Sequence, residues 1–174
     1  MKIILFLLFG CAIASPLSAE NSTTKPATPV PPAKAMPPMA VTEAVISAPL
    51  VCKDGAISQP AQTEVTEGGK ANFTFKVAEA GEYLIHAVVN APDEDSNSFF
   101  LNIDGQPGDP LMLWDMEVTK GFEERIVSWR GSGDSPSDEF SPKIFKLTAG
   151  EHKLIVVGRE PAQLKSLAIR RASK

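Results

Sequence analysis

The 174-residue sequence predicts an all-β domain built as an antiparallel β-sandwich, and three observations support this prediction. Short apolar segments with alternating polar residues recur along the chain, turn residues separate them, and no helical pattern longer than two turns occurs. The pattern runs from residue 42 to residue 172, which is the length of one ordinary domain. Many short strands with turns between them are typical of a sandwich.

The first two strong strand signals are predicted to form a hairpin. Residues 71–77 alternate, and Ala80-Gly81 supplies a turn signal, so residues 83–89 are expected to return beside them. A third strand is predicted at residues 99–103, with Asp104-Gly105 as its turn, and another at residues 125–129. Alternation is expected to bury six side chains: Phe73, Phe75, Val77, Phe99, Leu101 and Ile103.

Residues 144–169 are predicted to form the last three strands. Phe145 and Leu147 alternate with polar residues, and Gly150 supplies a turn because glycine adopts positive φ without steric cost. The apolar run 154–157 is too short for a lone helix and is rich in β-branched residues, which indicates an inner strand. We therefore predict two adjacent antiparallel strands joined by a tight turn, followed by a final strand.

Residues 1–19 are predicted to be an export signal. Lys2 supplies a positive charge, residues 3–9 are apolar, and small residues ending at Ala19 provide a cleavage site. The protein is therefore expected to be secreted, or to lie in a periplasm or at a cell surface. The alternative is a lipoprotein, because Leu8-Phe9-Gly10-Cys11 resembles a bacterial lipobox. No apolar stretch is long enough to span a bilayer.

Residues 20–41 are predicted to be a disordered tether, because they are rich in proline, alanine and threonine and contain no aromatic residue. Once the signal is removed, Cys52 is the only cysteine, so no internal disulfide is expected. Cys52 itself is expected to be a partly buried strand residue.

The formal net charge of −4 argues against a nucleic-acid partner. No nucleophile elbow, zinc motif or glycine-rich phosphate loop occurs, so no enzymatic activity is predicted. Five carboxylates could form a glycosidase pair, but we interpret them as solvated loop residues: Glu123, Glu124, Asp134, Asp138 and Glu139.

Six short motifs follow one another between residues 45 and 169. They are Ala80-Gly81-Glu82-Tyr83, the Ser98 to Gly105 strand, Trp114-Asp115, Val127-Ser128-Trp129, Ala149-Gly150-Glu151-His152 and Arg159-Glu160. In order and spacing they resemble the secreted jelly-roll modules related to carbohydrate-binding families 6 and 35. That resemblance implies a galactose-binding-like β-sandwich and a carbohydrate ligand.

The resemblance also implies where a structural calcium site would lie. Relatives carry acidic residues at two positions near the chain ends, whereas this sequence has Ala48-Pro49 and Leu164-Lys165 there. Calcium needs several hard oxygen ligands, and the Lys165 ammonium would repel it. We therefore predict that this metal site is absent, and no other metal or cofactor is expected.

A sugar ring presents apolar C–H faces and hydroxyl edges, so it needs an aromatic platform with planar donors and acceptors beside it. Trp114 and Trp129 lie beside polar loops and are predicted platforms, although one of them is alternatively a core anchor. The resemblance places Asn97 and Ser98 at the top of the sandwich.

The remaining predicted ligand-binding residues are Asp115, Arg159 and Glu160. Because Arg159 and Glu160 are adjacent on a predicted strand, their side chains are expected to face opposite ways.

The predicted function is that of an exported, non-catalytic module that binds a poly- or oligosaccharide through loops of a β-sandwich, with other cell-surface proteins as further partners. The alternative is a structural or adhesion β-sandwich that mediates protein contacts and has no sugar site.

Overall fold

The computed structural model describes residues 36–130 and 140–173, which form two antiparallel β-sheets around a shared core. The predicted signal peptide, Cys11 and the tether up to residue 35 lie outside the described residues, as do Asp134, Asp138 and Glu139. The all-β sandwich prediction is confirmed. Within the described part of the chain, no helix is long and apolar enough to cross a membrane.

The first sheet contains seven strands, numbered in chain order over the whole domain. They are β1 (Met39–Ala40), β3 (Val51–Lys53), β4 (Ala56–Ser58), β6 (Gly81–Asn90), β9 (Glu123–Ile126), β10 (Phe145–Leu147) and β12 (Gln163–Arg171). Their order is β10-β6-β12-β4-β3, with β9 also pairing with β6 and β1 with β12.

The second sheet has the strand order β2-β5-β11-β7-β8. Its strands are β2 (Val45–Ile46), β5 (Lys70–Val77), β7 (Ser98–Ile103), β8 (Leu113–Asp115) and β11 (Gly150–Gly158). A single 3-10 turn, Val41–Glu43, follows β1 among the described residues.

The core lies between the sheets, and the six side chains predicted to face it from β5 and β7 are all buried. The central strand β11 is buried on both faces, which explains its unbroken apolar run. Its residues Ile155 and Val157 pack on the outer face of the second sheet, against Phe100 and Leu113.

Both predicted hairpins are wrong, because each tight turn carries the chain from one sheet to the other. β5 pairs with β11 over eight residue pairs, whereas β6 pairs with β9, β10 and β12. Likewise β10 lies in the first sheet and β11 in the second, and Gly150, the first residue of β11, has φ +137°. Consecutive strands can in this way point their apolar faces into one core from opposite sides.

The folded domain begins earlier than residue 42. β1 pairs Met39 with Leu167 and Ala40 with Ser166, and Val41 is completely buried. Met36 also packs on the core. Apolar residues among the last prolines therefore belong to the sandwich rather than to the tether.

Cys52 is exposed rather than partly buried, because β3 is the edge strand of the first sheet and all three of its residues face solvent.

Candidate functional site

The ends of three strands in the second sheet create the candidate site. β7 runs antiparallel to both β8 and β11, with Ser98 opposite Asp115 and Phe99 opposite Gly158. The start of β7, the end of β8 and the end of β11 therefore lie at one end of the sheet. The polar residues next to these strand ends, including Asn97, Asp115 and Arg159, are consequently brought together.

Glu160 ties these segments to one another. Its carboxylate accepts hydrogen bonds from the backbone N–H of Asn97 at 3.2 Å and from the Ser98 hydroxyl at 2.6 Å, and it forms an ion pair with Arg159. Arg159 Nη1 also donates to the Ser98 hydroxyl at 2.8 Å. Glu160 is 5% exposed and Ser98 is fully buried. This network therefore forms the floor that holds Arg159 and Asn97 in place.

A cleft of about 520 Å³ opens above this network. Four of the seven predicted ligand-binding residues line it: Asn97, Asp115, Arg159 and Glu160. Asp115 is nearly buried and pairs with Arg130 at 2.5 Å, between Asp115 Oδ2 and Arg130 Nη2. The cleft therefore presents carboxylates, guanidinium groups and an amide within one concave surface.

Trp114 is a core side chain. It is 1% exposed and lies opposite Phe99, with 6.4 Å between the ring centroids. The register of β8 against β7 turns this ring inward, so very little of it is open to solvent. The burial of Trp114 agrees with the alternative that it is a core anchor and not with a role as a sugar platform.

Trp129 is partly buried and closely held by its neighbours. Its indole N–H donates to the Leu101 carbonyl at 3.0 Å, and its ring packs edge-to-face on Phe145 at 5.5 Å. The Lys143 ammonium lies 4.2 Å from the ring centroid. Trp129 is not among the described residues that line the cleft, so its predicted role as a sugar platform remains a prediction without support from its position.

The expectation that Arg159 and Glu160 face opposite ways is wrong. β11 ends at Gly158, so the two residues lie beyond the strand and are released from its alternation. Their side chains form an ion pair, and both line the cleft.

Sequence reasoning missed the apolar part of the cleft. Phe140 is 52% exposed and Val118 is 48% exposed, and both line the cleft beside Arg130. A single aromatic residue within the polar run Asp138-Glu139-Phe140-Ser141 was the available signal. An aromatic side chain whose immediate sequence neighbours are polar is a candidate for ligand contact rather than for the core.

Glu123 and Glu124 are the two described members of the five carboxylates considered for a glycosidase pair, and their contacts do not suit proton donation. Glu124 accepts two hydrogen bonds from Arg170, at 2.7 and 2.8 Å, and these hold the pKa of Glu124 below its usual value. The Lys120 amide does the same for the pKa of Glu123. Among residues 36–130 and 140–173, no group of three or more His, Cys, Asp or Glu residues is arranged to hold a metal ion.

Solved structures share this fold. A family 35 carbohydrate-binding module from Clostridium thermocellum gives a TM-score of 0.54 at 11% identity, over 78% of this chain and 97% of the module. The mannan-binding module from Man5C gives 0.53 at 17% identity, over 79% and 100%. A module of Cellvibrio mixtus lichenase 5A, solved with cellotriose, gives 0.50 at 12% identity, over 80% and 99%.

No protein-family model matches the chain, and no curated protein matches it significantly. The solved structures nevertheless show that the chain has the β-sandwich fold seen in family 35 and family 6 carbohydrate-binding modules. The three structures are binding modules that the match covers over nearly their whole length.

Proposed function

We propose that this protein is an exported, non-catalytic carbohydrate-binding protein that holds a poly- or oligosaccharide in the cleft. The observation that carries the proposal is the exposed ring of Phe140 beside Asn97, Asp115 and Arg159 in one concave surface. An apolar ring can stack on the C–H face of a sugar, while planar amide, carboxylate and guanidinium groups bind its hydroxyl edges. The fold shared with carbohydrate-binding modules supports the same conclusion.

The contacts of two of the four carboxylates in the described cleft lining, Asp115 and Glu160, support binding rather than catalysis. Glycoside cleavage by two carboxyl groups requires one that donates a proton and another that attacks or activates water. Asp115 is instead engaged by Arg130, and Glu160 by Arg159, Ser98 and Asn97. These contacts fix both groups as parts of the cleft wall and floor.

Export is supported by the sequence of residues 1–19, with Lys2 followed by an apolar segment and a small-residue cleavage site. Mass spectrometry of the mature protein tests it. A chain that begins at Glu20 is expected, and a lipid-modified N-terminal Cys11 would identify a lipoprotein instead. Retention of Met1 after expression in a secreting host would contradict both.

The binding proposal is tested with a glycan array followed by Phe140→Ala. Loss of the ring should weaken the glycan by about 1 kcal/mol, which is about fivefold in affinity. Phe122→Ala is the matched control, because Phe122 is also exposed, at 44%, but does not line the cleft. Equal losses in the two variants would contradict a role for Phe140 in binding.

The structural or adhesion alternative has one observation in its favour. Trp114 is buried and Trp129 is packed against Phe145, so neither predicted tryptophan platform is openly displayed. If the folded wild-type protein binds nothing on the array, this alternative becomes the better account.

A further inference from the structure

A second depression, of about 260 Å³, adjoins the cleft. Phe140 lines both concavities, and so do three neighbouring residues, Asp115, Met116 and Glu117. The two concavities therefore share a wall, and the exposed Phe140 ring stands at their boundary. A ligand that contacts this ring has access to space on both sides of it.

The second depression has the same mixture of surfaces as the cleft. Ile126, which is 36% exposed, and Pro142 supply apolar contact, and Ser128 and Arg125 supply polar groups. A β-bridge between Ser128 and Pro142 joins the two segments that form it. This surface can therefore pack on a sugar face and bind a sugar edge, as the cleft can.

The charges on the cleft indicate which sugars it accepts. Its described lining includes four carboxylates, of Glu94, Asp115, Glu117 and Glu160, but only two guanidinium groups, of Arg130 and Arg159. Each guanidinium is paired with one of the carboxylates. The net negative field would repel the carboxylate of a uronic acid. The hydroxyls of a neutral sugar can hydrogen-bond to the same carboxylate and guanidinium side chains without charge repulsion.

We propose that the binding site extends across Phe140 into the second depression and takes a segment of an uncharged glycan chain, with sugar units on both sides of the ring. This inference rests on the proposed carbohydrate-binding function and adds the second depression and the class of ligand to it. A single sugar unit would occupy one concavity only. Linked units can contact the walls of both.

An array that carries oligosaccharides of increasing length tests the proposal on the purified protein. It includes neutral manno- and cello-oligosaccharides from the disaccharide to the hexasaccharide, and oligogalacturonides as acidic counterparts. Affinity should rise with length for a neutral series and should be weaker for the acidic one. Ile126→Ala should weaken the longest bound oligosaccharide by about threefold or more, and it should leave the disaccharide in the larger cleft unchanged.

Ile144→Ala is the matched control, because Ile144 is 46% exposed and lies outside both linings. Length-independent binding, or equal effects of Ile126→Ala and Ile144→Ala, would overturn the extended site and leave the proposed function standing. Tighter binding of oligogalacturonides than of every neutral chain would overturn the assignment of an uncharged ligand. A folded wild type that binds no glycan would overturn the proposed function as well.

Discussion

Glu160 links the start of β7, the end of β11 and the floor of the cleft. Its replacement should therefore lower the free energy of unfolding. Glu160→Gln should lower the free energy of unfolding by about 2 kcal/mol, because a buried carboxylate with three donors is replaced by a neutral amide. Urea denaturation measures the change. Glu151→Gln, at an exposed position of β11, is the control and should have little effect. Similar losses in both variants would show that the network contributes nothing of its own.

His152 lies at the opposite end of β11 from the cleft, and its two ring nitrogens contact groups that favour its charged form. Its Nδ1 lies 2.6 Å from a carboxylate oxygen of Asp104, and its Nε2 lies 2.9 Å from the Thr148 carbonyl. Because an ionised carboxylate and a carbonyl only accept hydrogen bonds, the charged imidazolium, with a proton on both ring nitrogens, satisfies both contacts. Burial opposes the charge, but these contacts outweigh it and raise the pKa of His152.

The His152–Asp104 pair should therefore stabilise the fold less as the pH rises through the folded-state pKa of His152. The pKa of His152 is raised from 6.5, so its contribution is complete below that value and is lost as pH rises through the folded-state pKa. For Asp104, burial is outweighed by the hydrogen bonds from the Lys153 amide and His152, so its pKa is lowered from 3.8. Its contribution is present above 3.8 and is lost on acidification through the folded-state pKa.

Asp104→Asn separates this pair from other titrating groups. Asparagine tolerates the positive φ of 59° at this position but removes the charge that raises the pKa of His152. Urea unfolding across the range above about pH 6.5 should show a steeper loss of stability in the wild type than in the variant. Parallel pH profiles would contradict the assignment.

At the scale of elements, β1 should contribute to stability although it is only two residues long. A chain that begins at Thr42 lacks the pairing of Met39 and Ala40 with β12, and it lacks the buried Val41 side chain. It should be less stable than a chain that begins at Ala33 by about 2 kcal/mol or more, the scale of burying one valine side chain. Chemical denaturation of the two chains measures the difference, and equal midpoints would place β1 outside the cooperative fold.

At the scale of the whole molecule, stability should not depend on calcium. Lys165 lies exposed in β12 with its ammonium 5.3 Å from the Phe122 ring centroid. It stands where the resemblance implies an acidic calcium ligand, and its charge would repel the ion. Addition of EDTA should leave the melting temperature unchanged. A drop that added calcium reverses would reveal a site built from other ligands.

The individual strands could be predicted because alternation is a local property of the chain. Phe73, Phe75 and Val77 alternate with polar residues, and any sheet that covers one face of β5 must bury them. The partners of each strand could not be predicted, because Ala80-Gly81 and Ala149-Gly150 turn the chain equally well within a sheet or between two sheets. Long-range pairing of β5 with β11 and of β6 with β12 made that choice.

The polar residues of the cleft could be predicted in part, since Asn97, Asp115 and Arg159 stand next to strand ends, where side chains are free to line a surface. The aromatic residue could not. Trp114 faces inward because β8 aligns it with Phe99, whereas Phe140 lies outside the strands and is 52% exposed at the cleft. Composition and alternation thus determine the sheets and their buried faces, whereas register decides which aromatic ring a ligand can reach, because a shift of one residue reverses every side chain.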